Sequence, residues 1–229
     1  MKLKYVLLVF SFIVNEWLSA QNLNLTPSFG GITLAPLTTT GKVVDESNIF
    51  FIDTWNEGSL FININAKGLS VPQLKYNISE DKIIMRNEQG VFEFPKGSIL
   101  SFTLKSNGKE YTFISGLDGI EKYSATSFFL VNYDSKKIKL LTKHFTILQN
   151  LGSNNYGSTT QEYTYSKDKE LYIYKDNKGI LVKRNKKSIL EVLGGDKKIW
   201  EDYIKANKLD MKKEEDIARL IQFYDSKNP

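Results

Sequence analysis

The chain contains one histidine, His144, and no cysteine, which narrows the chemistry that its side chains can perform. A period of two along the predicted strand places His144 on one face with Ile138, Leu140, Thr142 and Leu148. As a general base it would act on a serine of residues 150–160, and it would need a contacting nucleophile and a third, orienting group. Sequence spacing supplies neither of these. We therefore interpret His144 as a histidine on a mixed strand face, satisfied by a neighbour or by water.

Carboxylates are the second candidate chemistry. A glycoside hydrolase needs two acids across a cleft, one of them with a pKa raised by burial. No acid here lies within an apolar run, and the paired acids fall in predicted turns: Asp45 with Glu46, Glu80 with Asp81, and Asp168 with Glu170. Calcium loops, phosphate-binding glycine motifs and a G-x-S-x-G nucleophile elbow are missing from the sequence. The sequence therefore predicts no catalytic residue, no metal site and no cofactor.

Aromatic residues, at 13% of the chain, are the one class that suggests a binding surface. Two short alternating sets of tyrosines fall on what we predict to be adjacent strands: Tyr163 with Tyr165, and Tyr172 with Tyr174. Cross-strand aromatic pairs stabilise a sheet by about 0.2–1 kcal/mol each, so the set also has a purely structural interpretation. Because Leu171 and Ile173 would occupy the core face, we predict that the tyrosines form an exposed platform for a glycan or another protein.

A β-rich body over residues 48–184 must position these side chains. Leu74, Tyr76 and Ile78 alternate with polar residues, a pattern that repeats along this region and is typical of half-buried strands. Turn sequences at Asn107-Gly108, 134–136 and 176–179 predict tight hairpins. The fold class is therefore mainly β, an antiparallel meander forming a sandwich or small barrel. Residues 150–160 are predicted to be a long loop, and residues 21–47 an extended or partly ordered leader.

Residues 185–229 predict a short helical C-terminal appendage packed on the β body. A first helix over 186–193 should stop at Gly194-Gly195, and Asp196 and Asp210 are predicted N-caps of two further helices. Apolar residues share one face of the last helix, at Ile217, Leu220, Ile221 and Tyr224. Acids and lysines are mixed on the opposite faces, which favours packing against the body over binding to a membrane surface.

The first 20 residues have the pattern of a cleavable signal peptide. Lys2 and Lys4 precede an apolar run at 5–14, and Leu18-Ser19-Ala20 favours cleavage before Gln21. The run is about ten residues, half of the ~20 needed to span a bilayer. Without cysteine the chain cannot carry a lipid on a cysteine at the cleavage site. We expect a soluble, extracytoplasmic product, periplasmic or secreted. The full chain has a net charge of +5, and its lysines are interleaved with acids, which does not favour nucleic-acid binding.

Several segments resemble a group of uncharacterised exported proteins of Bacteroidota. These segments are IFFIDTW at 49–55, LKYN at 74–77 followed by DKI at 81–83, FFLVNYDSKKIKLL at 128–141, and the helical end from KSILEVL to IQFYD. The resemblance covers most of residues 49–225 and implies a cell-envelope setting in a Gram-negative organism. It implies no activity and no catalytic residue, because none is known for the group.

Together these features predict an exported, soluble cell-envelope protein that acts as a non-enzymatic binding or accessory module. Its partner would be an envelope protein or a glycan. Two alternatives stay open at this point. One is an extracytoplasmic hydrolase that uses carboxylates. The other is a carrier that holds a hydrophobic ligand in the mouth of a β-barrel.

Overall fold

An antiparallel sheet of 11 strands dominates the structure, a computed structural model that describes residues 27–36, 48–62, 68–152 and 162–228. The predicted signal peptide lies outside these ranges. The strands are β1 (Ser28–Phe29), β2 (Ile32–Thr33), β3 (Ala35–Pro36), β4 (Asn56–Phe61), β5 (Leu69–Asn77), β6 (Lys82–Asn87), β7 (Gly90–Glu93), β8 (Ser101–Ser106), β9 (Lys109–Ile114), β10 (Phe129–Asp134), β11 (Ile138–Gly152), β12 (Glu162–Lys175) and β13 (Lys178–Val182). The helices are α1 (Lys186–Leu193), α2 (Lys197–Ala206) and α3 (Glu214–Lys227).

The sheet consists of two consecutive meanders. Its strand order is β13-β12-β11-β10-β9-β8-β4-β5-β6-β7-β3, so the meanders β4–β7 and β8–β13 join where β8 pairs with β4. The prediction of a mainly β, antiparallel meander with C-terminal helices is confirmed. Within the predicted leader, residues 27–36 form the β1–β2 hairpin and the edge strand β3, which pairs with β7. The remaining leader residues, 21–26 and 37–47, lie outside the described ranges.

The predicted hairpin turns depend on residues that tolerate positive φ. Asn107 and Gly108, between β8 and β9, have φ of 51° and 73°. Asp176 and Asn177, between β12 and β13, have φ of 54° and 57°. Two positive φ values in a row are those of a type I′ turn, whose twist matches that of the flanking strands. The second turn is shorter than predicted, because β13 already begins at Lys178.

The two larger hydrophobic cores lie against different parts of the sheet. The first meander and its neighbours curl around an aromatic cluster in which ring centroids are 4.7–5.9 Å apart, formed by Tyr76, Phe102, Phe113 and Phe128. The second core lies between one face of β10–β13 and the helices, and it includes Ile138, Leu140, Leu171, Ile173, Trp200, Ile217, Leu220 and Ile221. The apolar face predicted for α3 is therefore buried.

The helix ends follow the sequence signals with one exception. Asn185 and Asp196 cap α1 and α2 through side-chain oxygens, and α1 ends at Gly194. Asp210 does not cap α3: its carboxylate accepts the Lys212 N–H at 2.9 Å, and the helix begins four residues later. That prediction was wrong because the intervening residues form a separate turn. None of the helices in the described ranges is long and apolar enough to cross a membrane.

Candidate functional site

β11 and β12 extend far beyond their neighbours in the sheet. β10 pairs with β11 only at residues 139–142, and β13 pairs with β12 only at 171–175. Farther out, residues 147–152 and 162–166 pair with each other alone in the described registers. We call these two segments the arm. The predicted loop at 150–160 is therefore shorter, since Asn150 and Gly152 still pair with β12, and residues 153–161 lie outside the described ranges.

The arm exposes large apolar side chains on both of its faces. Ile147, Leu148 and Leu151 are 45%, 50% and 53% exposed. Leu148 lies opposite Tyr165 on one face, while Ile147 projects from the other because side chains alternate along a strand. Leu151 lies at a bulge between Asn150 and Gly152, near the end of the ribbon. Within the described ranges, no strand or helix covers these apolar side chains. The arm is therefore an apolar surface held away from the body.

The structure does not bring the four candidate tyrosines together. All four lie on the single strand β12, so the prediction of two adjacent strands was wrong. Tyr165 and Tyr172 are seven positions apart, an odd number, which places Tyr163 and Tyr165 on one face and Tyr172 and Tyr174 on the other. Leu171 and Ile173 do oppose the second pair, as predicted. That second pair is not an exposed platform, however.

Tyr172 is buried and Tyr174 half-buried beneath the loop that joins β9 to β10. This loop contributes Leu117, Ile120 and Tyr123 to a small third core. Tyr172 packs there edge to face against Tyr123 and Phe129. Only Tyr163 and Tyr165 belong to the arm. The position of each tyrosine along one strand, rather than aromatic content alone, decides which tyrosines reach the surface.

Glu170 ties the same loop to β12. Its carboxylate accepts hydrogen bonds from Lys122 Nζ at 2.7 Å, Tyr123 OH at 2.9 Å and Tyr172 OH at 2.8 Å. Burial alone would raise the pKa of Glu170, but these three donors outweigh it and hold the pKa below its usual range. Burial and the bond to this carboxylate raise the pKa of both tyrosines. Glu170, predicted to be a solvated turn residue, is instead an ionised anchor within a strand.

A buried ion pair lies next to that anchor. Lys143 Nζ is 2.8 Å from Asp81 Oδ1 and donates to the Phe128 carbonyl at 3.1 Å. Asp81 also accepts the Tyr76 hydroxyl at 2.5 Å. Burial lowers the pKa of the Lys143 ammonium, against the attraction of Asp81. Asp81 lies in the predicted turn, but it is not a solvated acid. The pair joins β11 to the β5–β6 turn, two parts of the sheet that are not neighbours.

His144 lies on the opposite face of β11 from Lys143, in a cleft of about 540 Å³ at the foot of the arm. The cleft walls include Phe51, Tyr111, Lys169 and Glu214. The His144 ring packs edge to face on Phe51, with centroids 4.8 Å apart, and its Nε2 is buried without a hydrogen-bond partner in the described structure. Burial, followed by the nearby charge of Lys169, lowers the pKa of His144 to about 4.

Glu214 at the start of α3 forms the polar wall of this cleft. It accepts hydrogen bonds from Lys169 at 2.6 Å, Arg184 at 2.9 Å and Thr142 at 3.0 Å. Although burial opposes the charged form, these donors keep the pKa of Glu214 below its usual range. The network fixes the first turn of α3 on β11 and β12. Thr142 thus shares its face with His144, Ile138 and Leu140, as the alternation predicted.

The arrangement favours structural roles for these polar groups. His144 is neutral near pH 7, and no described hydroxyl is hydrogen-bonded to its Nε2, so it lacks the contact that activates a serine. Glu170 and Glu214 are both held ionised, whereas a general acid needs a raised pKa. Among the described residues, no group of three His, Asp or Glu side chains could hold a metal ion. The paired acids Asp45 and Glu46 lie outside the described ranges.

Sequence reasoning missed Lys143 and Glu214 as buried polar anchors. A signal for Lys143 does exist: it falls between Leu141 and Phe145 in the alternation of β11, a position where a lysine must be paired if the face is buried.

Compared with known protein families, curated proteins and solved structures, the chain matches none of them.

Proposed function

We propose that this protein is an exported, non-enzymatic binding module of the cell envelope that holds a partner protein through its arm. The exported setting is supported by the pattern of residues 1–20 and by the resemblance to exported proteins of Bacteroidota. The observation that carries the binding role is the exposure of Ile147, Leu148 and Leu151 on a ribbon that projects from the body. Apolar patches held in solvent in this way are typical of interaction sites.

A protein partner fits this surface better than a glycan does. Aliphatic side chains gain binding energy by excluding water from an apolar partner, whereas they offer no hydrogen bonds to sugar hydroxyls. Both edges of the arm also have backbone groups that lack a third strand in the described registers. A partner could add a strand to such an edge, and its side chains could then cover Leu148 or Leu151.

The two alternative functions have less support. A hydrolase that uses carboxylates would need a protonated acid, and the two described acids with displaced pKa values, Glu170 and Glu214, are displaced downward. A hydrophobic-ligand carrier would need an internal apolar cavity. The interior of the curled meander is instead occupied by stacked and edge-to-face rings of Phe102, Phe113 and Tyr76.

Site-directed photo-crosslinking in the native host tests the proposal. A photoreactive residue is introduced at Leu148 or Leu151, and at two control positions, Leu181 on β13 and Ile199 on α2. The controls are similarly exposed, at 55% and 45%, but lie outside the arm. We expect both arm positions to capture the same protein and the controls to capture none. Leu148→Lys should then abolish capture from position 151. Equal capture at control positions, or different proteins at the two arm positions, would contradict the proposal.

A further inference from the structure

A second concave surface lies at the end of the sheet opposite the arm. It is a cleft of about 720 Å³ between the β10–β11 turn, the β12–β13 turn and the end of α3. Tyr174, one of the four candidate tyrosines, lines it together with Tyr224. A cleft of this volume is in the range that holds a small molecule.

Lysines dominate the charge of this cleft. Four of them line it, Lys136, Lys137, Lys139 and Lys175, against two carboxylates, Asp176 and Asp225. The cleft lining therefore has more ammonium groups than carboxylates.

Among the described residues, two of these lysines have neutral hydrogen-bond partners and no carboxylate partner. Lys139 pairs with Asp134. Lys137 Nζ donates to the Asn228 carbonyl at 2.9 Å, and Lys175 Nζ donates to Tyr224 OH at 2.8 Å, so both ammonium groups are held by neutral oxygens. The Asp225 carboxylate accepts the Tyr133 hydroxyl at 2.9 Å. Within the described ranges, the turns and α3 thus hold two cationic side chains through neutral oxygens rather than carboxylates.

We infer that this cleft binds a small multivalent oxyanion, a ligand with two or more phosphate or carboxylate groups. Lysine binds such groups as a point charge with up to three hydrogen-bond donors. The carbonyl-held Lys137 and the hydroxyl-held Lys175 can each turn a remaining N–H toward a ligand. The Asn177 side-chain amide, at the turn, adds a neutral donor to the lining. This site is independent of the arm and does not require a partner protein.

The competing explanation is that the lysines only offset the negative end of α3. Cations near a helix C-terminus are favourable without any ligand, and Lys137 does contact the Asn228 carbonyl. In that case, removing them would change stability but would not change the binding of anions. The two explanations therefore differ in a measurable way.

An NMR titration with pyrophosphate, and separately with citrate, distinguishes them. The wild-type protein is compared with Lys136→Ala/Lys137→Ala and with a control of equal charge change, Lys187→Ala/Lys197→Ala, whose lysines are exposed on α1 and α2. At about 0.1 M salt, screening suppresses the effect of net charge alone. We expect saturable shifts at residues 135–139 and 174–178, and affinity weakened about tenfold or more in the cleft variant only.

The relative affinity of the two probes assigns the ligand as phosphate- or carboxylate-bearing. Equal weakening in the cleft and control variants, or shifts that do not saturate in the cleft, would overturn the inference. If the double variant has a lower melting temperature, Lys136→Ala alone repeats the test, because Lys136 is exposed at the turn.

Discussion

The same two strands have opposite surroundings along their two halves. In the inner half of β11, residues 138–143 are covered on both faces: Leu140 and Thr142 lie under the helices, while Leu141 and Lys143 lie under the β9–β10 loop and the β5–β6 turn. In the outer half, Ile147, Leu148 and Leu151 are exposed, and no described element covers them. The apolar content is similar in both halves, and among the described elements only those over the inner half bury it.

This difference separates residues that stabilise the protein from residues that are available to a partner. The inner half can carry buried polar groups because partners from distant elements satisfy them, as Asp81 does for Lys143. In the part of the chain that the structure describes, no distant element packs on the aliphatic residues of the arm. Substitutions of the same chemical kind should therefore have very different consequences in the two halves.

Lys143→Met should produce the largest loss of stability. It removes the ammonium from a buried pair and leaves the Asp81 carboxylate with only the Tyr76 hydroxyl and the Phe128 N–H. Breaking a buried pair in this way costs about 3–5 kcal/mol, which urea denaturation would measure. Lys167→Met is the matched control, because its surface pair with Asp53 should contribute no more than about 1 kcal/mol.

A double variant tests whether the unpaired Asp81 carboxylate causes this loss of stability. Lys143→Met/Asp81→Asn removes both charges, and asparagine tolerates the φ of 60° at position 81. We expect it to be more stable than Lys143→Met alone, since no unpaired carboxylate remains. A purely additive loss, or a loss below about 1 kcal/mol for Lys143→Met, would mean that the pair does not anchor the inner half.

His144 follows Lys143 in the sequence but lies on the opposite face of β11, toward the helices. It should make the free energy of unfolding depend on pH. The pKa of His144 is about 4 in the folded protein, mainly because of burial and then because of the positive charge of Lys169. Lys143 and Arg184 also lower this pKa, whereas Glu214 raises it. The unfolded chain binds this proton near pH 6.5. Because the folded state binds fewer protons, stability is highest above pH 6.5 and falls as the pH drops toward 4, by up to about 3 kcal/mol.

Two measurements check the His144 prediction. As this is the sole histidine, untagged protein gives one imidazole NMR titration, whose midpoint should lie near pH 4. The second measurement is urea denaturation at several pH values. Between pH 6.5 and 4, the free energy of unfolding should fall less for His144→Gln than for the wild type. A midpoint above 6, or parallel pH profiles for the two proteins, would show that His144 is solvated.

Local patterns were sufficient to predict much of the fold. Alternation at Leu74, Tyr76 and Ile78 identified a buried face, and Asn107-Gly108 identified a hairpin, because both depend on residues close together in sequence. The course of β12 could not be predicted in the same way. Its charged middle, SKDKE at 166–170, resembles a turn. It continues as a strand because it pairs with residues 143–147 of β11, and three of its charges also have partners on distant elements: Asp53, Lys122 and Glu214.

The wrong prediction of two strands in place of β12 also affected the candidate site. With a turn between Tyr165 and Tyr172, both pairs could face outward, but one continuous strand forces them onto opposite faces. The arm could not be recognised from sequence, because the length of a free ribbon is set by where β10 and β13 end. Those ends depend on tertiary pairing rather than on the composition of β11 and β12.

The smallest effect on stability should come from the arm itself. Leu148→Ala and Leu141→Ala make the same change on one strand, seven positions apart, so backbone propensity is matched. Leu141 is fully buried, and its truncation should cost about 2–5 kcal/mol through lost contacts and a cavity. Leu148 is half exposed, and its truncation should change the free energy of unfolding by less than about 0.5 kcal/mol. Equal losses in urea denaturation would mean that another part of the chain covers the arm, and its apolar residues would then no longer be available to a partner.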